Sequence, residues 1–144
     1  MRVAYFDCLA SVSAEMLLGA LLEVGLSLDE LRQGLISLPL PVHLSAERVM
    51  QGGVRATRVA LIASDHETKG LAEIASLLES AALPEPVIAE ALRIFRRWAE
   101  AEARARDETV DGCPWCDSAD IVAVVGVLLG LRRLQADEIW VSSL

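Results

Sequence analysis

Residues 118–134 run Ser-Ala-Asp-Ile-Val-Ala-Val-Val-Gly-Val-Leu-Leu-Gly-Leu-Arg-Arg-Leu, and no other stretch restricts the fold as strongly. The segment is too long for one strand and is apolar almost all round. It therefore predicts a helix enclosed by other elements rather than one lying on a surface. Gly126 and Gly130 are four apart and share a face, so a neighbour can approach closely along a strip without side chains. The apolar run 121–131 falls well short of the ~20 residues needed to cross a bilayer. Such a helix needs layers around it, which the rest of the chain must supply.

Residues 1–7 alternate apolar and other side chains and suit a short strand. Residues 13–24 place Met16, Leu17, Ala20, Leu21 and Val24 at helical spacing, and Gly25 follows as a left-handed terminator. Ser27-Leu28-Asp29-Glu30 has the form of a capping box, opening a second helix that ends near Leu35, before Pro39 and Pro41. Residues 42–50 and 54–63 read as two strands joined by Gln51-Gly52-Gly53, a pair of glycines suited to a tight hairpin. Residues 65–69 form a polar loop. Helices are expected over 70–82 and, after Pro84 and Pro86, over 87–106, where Ile88, Ala91, Leu92, Phe95, Trp98 and Ala99 form the apolar stripe. Residues 109–117 are irregular, and 138–144 close the chain as a strand. The expected fold is α+β: a sheet of about four strands, helices on one face, and a buried apolar helix near the C-terminus.

A length of 144 residues suits one domain, spanning 1–144. Aromatic residues make up only 4%, so the core must be built mainly from Leu, Val, Ile and Ala. The net charge of −8 argues against nucleic acid as a partner, because no basic patch is visible. The densest basic group, Arg93, Arg96, Arg97, Arg104 and Arg106, alternates with Glu90, Glu100 and Glu102 and reads as a solvated helix face. No signal-peptide pattern opens the chain, no segment is a membrane span, and three cysteines make no disulfide framework. A cytoplasmic protein without nucleic-acid or membrane partners is expected.

Cys113-Pro114-Trp115-Cys116 is the most suggestive tetrapeptide. Two thiolates at this spacing bind one soft or borderline ion such as Ni²⁺ or Zn²⁺. A four-ligand site needs more, and Asp117, His66, Asp111 and Cys8 are the available donors. The same pair, just before a helix, also suits a dithiol redox module with a lowered thiol pKa. The plainer alternative is two structural cysteines. Asp7 and Cys8 end the first strand; Asp7 either lies near a ligand or caps the following helix. Ser13 and Glu15 offer a hydroxyl and a carboxylate to a ligand, while equally serving as an N-cap and a first-turn acid. Asp120 reads as another first-turn acid, and His43 as a surface strand residue. There is no Ser-His-Asp spacing, P-loop or Rossmann glycine fingerprint.

Phe6-Asp7-Cys8, followed by Ser13-Ala14-Glu15-Met16-Leu17-Leu18-Gly19-Ala20-Leu21-Leu22, resembles the opening of LarC-type nickel-insertion proteins. Their first strand ends in Asp-Cys, and a Gly-Ile-Ser-Gly-Asp-Met turn and a Leu-Gly-Ala-Leu-Leu helix follow. Gly53 to Val59, Ala91 to Ala103, Asp120 to Gly126 and Val141 to Leu144 resemble later family segments in the same order, so the likeness covers the whole chain. The resemblance implies insertion of nickel into a sulfur-bearing pyridinium mononucleotide, consuming CTP with a divalent cation such as Mg²⁺. It also implies a ligand-side role for Asp7, which stands at a motif position.

Ser11, Ala14 and Glu15 replace the family's Gly, Gly and Asp, and Cβ atoms there narrow the approach of backbone N–H groups to an anion. Only His66 stands where the family has a histidine-rich loop. Residues 111–117 replace a His-Phe-His-Glu stretch, and the family's further, nucleotide-binding part has no counterpart here. The expectation is a member that is catalytically incomplete alone. It would handle Ni²⁺ or the pyridinium cofactor, with Zn²⁺ as the alternative ion, while a second polypeptide supplies the CTP and Mg²⁺ chemistry. The alternatives are a non-catalytic interaction module, working as a homo-oligomer through the 121–131 helix or the last strand, and a dithiol redox module.

Overall fold

A computed structural model of the chain describes residues 1–8, 11–111 and 114–142. Their order is β1 (Val3–Phe6), α1 (Ala14–Glu23), α2 (Leu28–Leu35), β2 (Val42–Gln51), β3 (Val54–Ala63), α3 (Leu71–Ser80), α4 (Glu85–Arg106), α5 (Ser118–Arg133) and β4 (Glu138–Val141). The α+β class and the expected succession of elements are observed. The four strands, however, divide into two pairs rather than one sheet: β1 lies parallel to β4, and β2 is antiparallel to β3. The first pairing joins positions 135 residues apart, with Val3 opposite Glu138. The second is a local hairpin whose turn glycines have φ of +57° and +79°, the positive values a two-residue turn demands.

Buried α5 organises the packing, and Ile121 and Val125 on it have no exposed surface. A Cβ at Gly126 would stand 3.3 Å from a Leu18 methyl, and one at Gly130 only 2.9 Å from methyls of Leu21 and Leu26. The glycine strip therefore admits α1 and its following turn against α5, as the spacing predicts. On its other side α1 meets the hairpin, where Gly19 faces the Thr57 carbonyl of β3. Leu44 and Val59 turn the same face of the hairpin into the core, while His43 and Ile62 face outward. Long helix α4 adds Ala91, Phe95 and Ala99, all buried.

The helix ends follow local rules with one exception. Ser13 caps α1, its Oγ accepting from the Met16 N–H at 3.2 Å. After α1 the N–H groups of Gly25 and Leu26 return to the carbonyls of Leu22 and Leu21, with Gly25 at φ +116°. The capping box at Ser27 is only half formed, since the Ser27 hydroxyl makes no cap bond. Glu30 keeps its bond to the Ser27 backbone and also pairs with Arg133 at the end of α5; Arg133 first, then Ser27, holds its carboxyl below the usual value.

Candidate functional site

The head of α5 gathers the densest group of polar side chains away from open surface. Two loops build it. Lys69 and Cys116 form an isolated antiparallel bridge: the Lys69 N–H donates to the Cys116 carbonyl at 2.8 Å, and the Lys69 carbonyl accepts from Trp115 and Cys116. Trp115 anchors this junction, buried and edge-on to Trp98 of α4 with ring centres 6.4 Å apart. The backbone bridge fixes the strand-end loop against the segment entering α5, so Asp65, Lys69, Cys116, Asp117, Ser118 and Asp120 come together.

Asp117 is the N-cap of α5, its Oδ1 accepting from the Asp120 N–H at 2.9 Å. Ser118 is fully buried and donates to Asp65 Oδ2 at 2.7 Å. Lys69 retains only 7% of its surface, and its Nζ lies 3.8 Å from the same carboxylate oxygen, an ion pair longer than a hydrogen bond. Asp65 Oδ1 and Trp115 Nε1 are both buried without a hydrogen-bond partner. A buried acceptor or donor left unpaired costs about 1–3 kcal/mol, so this corner is poised to accept a further polar group or ion.

The electrostatics favour a positive guest. Burial pushes the Cys116 thiol up to about 12, reinforced by Asp120 and Asp117 and opposed by Lys69. The Asp120 carboxyl is also raised, first by burial and then by Asp117, with Glu15 of α1 adding to it. Both shifts come first from burial and then from the neighbouring carboxylates, and a divalent cation seated among those carboxylates would be favoured by the second of these. Cys116 is fully buried, and its Sγ donates to the Asp117 carbonyl at 3.6 Å. It is a neutral thiol at pH 7, which denies it the lowered pKa a redox module needs.

The raised thiol has a consequence for stability. Its contribution is intact below the unfolded value near 9 and is lost as pH rises towards about 12, because only the unfolded chain ionises in that window. Unfolding free energy should fall there by up to about 1.4 kcal/mol per pH unit from this group. Urea midpoints between pH 8 and 11 should show a shallower slope for Cys116→Ser, and identical slopes would refute the shift.

Of the residues singled out by sequence, Cys116, Asp117 and Asp120 belong to this group, and Glu15 of α1 bears on it only through Asp120. Cys113 lies outside the described residues. His66 is exposed on the loop beside Asp65, and Asp7 is exposed at the end of β1. Ser13 spends its hydroxyl on the α1 cap. Among the described residues, no three His, Cys, Asp or Glu side chains stand together as a ready metal site. Sequence reasoning missed Asp65, Lys69 and Ser118, which sit in polar surroundings that read as an ordinary loop and helix start.

The family model described as nickel insertion protein matches residues 4–144. Relatives named for nickel insertion include one from Roseiflexus castenholzii, 39% identical over 99% of this chain and 38% of its own length. Another, from Geotalea uraniireducens, is 36% identical over 100% of this chain and 39% of its own. A third, from Syntrophobacter fumaroxidans, is 35% identical over 99% and 38%. The chain thus spans under two-fifths of the length of these relatives. No solved structure matches. The match over nearly the whole sequence settles the lineage: this chain belongs to the nickel insertion protein family.

Proposed function

We propose that the chain handles nickel as cargo during maturation of a nickel-pincer cofactor, with Cys113, Cys116 and Asp117 as its metal ligands and His66, on the loop beside Asp65, as a further donor. The observation that carries this reading is the gathering of Asp117 and Asp120 about buried Cys116, with the unpaired oxygen of Asp65 held close by through Ser118. A borderline ion gains both soft thiolate ligation and charge compensation there, at the cost of displacing the thiol proton. Zn²⁺ would meet the same donors. Asp7, Ser13 and Glu15 border the head of α1 and make up the side offered to the pyridinium mononucleotide.

CTP and Mg²⁺ enter through a second polypeptide that corresponds to the unmatched length of the relatives. Its absence would leave the chain catalytically incomplete, in keeping with its share of those proteins. No helix among the described residues is long and apolar enough to cross a membrane. The purely interactive alternative draws support from β4, all of whose residues are exposed, though not from α5, whose apolar residues are turned into the core. Calorimetric titration of the reduced chain with Ni²⁺ separates the two: micromolar or tighter binding supports nickel handling, and no binding leaves only the contact role.

A further inference from the structure

The parallel pair β1–β4 has a face and an edge that nothing in the described chain covers. Tyr5 and Trp140 stand opposite each other in register, 61% and 57% exposed, with Val3 beside them at 38%. Parallel strands are ordinarily buried on both faces, and a two-stranded sheet is marginal alone. Along β4 the N–H groups of Glu138 and Ser142 turn inward to the carbonyls of Arg2 and Phe6. Strand alternation directs those of Ile139 and Val141 to the other edge, where no described strand pairs. Both side chains are more than half exposed.

Two observations select the occupant. Well over half of each relative's length lies outside the match, so in those proteins much additional polypeptide is available to cover this surface. A second copy suits it poorly. Each copy carries a net charge of −8, so two copies repel each other as they approach.

We infer that the free edge of β4 and the Tyr5–Trp140 face receive a β-strand from a polypeptide homologous to that unmatched length, extending the sheet by strand addition. This rests on the two-polypeptide reading above and names the surface it uses. The added strand forms main-chain hydrogen bonds with Ile139 and Val141, sets an apolar side chain beside Trp140, and answers Asp137 and Glu138 with Lys or Arg.

The test mixes the full chain with the unmatched portion of the Roseiflexus castenholzii relative, produced as a separate polypeptide. Sedimentation should report a one-to-one complex, weakened at least tenfold by Trp140→Glu. Because Trp140 is exposed, that variant should melt as the parent does. Independently, the Ile139 and Val141 amides should exchange more slowly in the mixture than in the chain alone. A complex indifferent to Trp140→Glu, with both amides unprotected, overturns the assigned surface while leaving the two-polypeptide reading intact. Absence of any complex overturns both. A homodimer broken by Trp140→Glu overturns the choice of occupant.

Discussion

Replacing Phe95 by alanine should cost about 3–5 kcal/mol of unfolding free energy, the largest single-residue effect expected in this chain. Phe95 has no exposed surface and is the largest of the fully buried side chains. Ala91 and Ala99, one turn away on the same face of α4, are too small to fill the void. Its ring stacks at 6.5 Å on Trp98, which in turn meets Trp115 at the Lys69–Cys116 junction. The loss should therefore loosen the polar corner as well as the helix. Urea unfolding measures the first effect, and faster exchange of the Lys69 amide reports the second. A cost below about 1 kcal/mol would mean that α4 does not hold the core together as described.

Gly19→Ala should destabilise by about 3 kcal/mol, at the upper end of ordinary overpacking. A Cβ at this position would lie 2.4 Å from the Thr57 carbonyl oxygen, a contact no rotamer change can relieve because the obstacle is backbone. Either α1 must lift from β3 or the hairpin must shift. Gly130→Ala makes the useful comparison, since its nearest atoms are methyls of Leu21 and Leu26 that can partly give way. Equal midpoints for Gly19→Ala and the parent would show that helix and hairpin are not in such close contact.

Local and periodic features were legible in the residues. The hairpin register follows from Gly52-Gly53, the end of α1 from Gly25, and burial of α5 from its lack of a polar face. What could not be read were arrangements set by residues far apart. The partner of β1 comes from the other end of the sequence, and two four-residue strands and a hairpin give no sign of whether they form one sheet or two. Glu30 is shared between the Ser27 backbone of its capping box and Arg133, 103 residues away, a partner that local spacing cannot reveal. Lys69 illustrates the same limit at the site. A lysine between Thr68 and Gly70 looks solvated, and only its bridge to Cys116 and its pairing with Asp65 explain its burial. The cysteine pair drew notice from spacing alone, and Asp117 and Asp120 beside it are sequence neighbours, whereas Asp65 and Lys69 reach the same corner only through the fold.

Those acids also shape what metal binding must look like. The Cys116 thiol is protonated at neutral pH, so it can become a ligand only by releasing its proton, and ion uptake must be coupled to pH. A surface histidine site is also pH-coupled, but it releases few protons above about pH 7.5, where a thiol still gives up a full one. The decisive measurement is calorimetric titration of the reduced protein with Ni²⁺, and separately Zn²⁺, in two buffers of different ionisation enthalpy, repeated on Cys113→Ser/Cys116→Ser. Nickel handling predicts micromolar or tighter binding, observed heats that differ between buffers because protons leave with ligation, and loss of both in the double variant. No binding of Ni²⁺, or binding that the double variant retains unchanged, would contradict it.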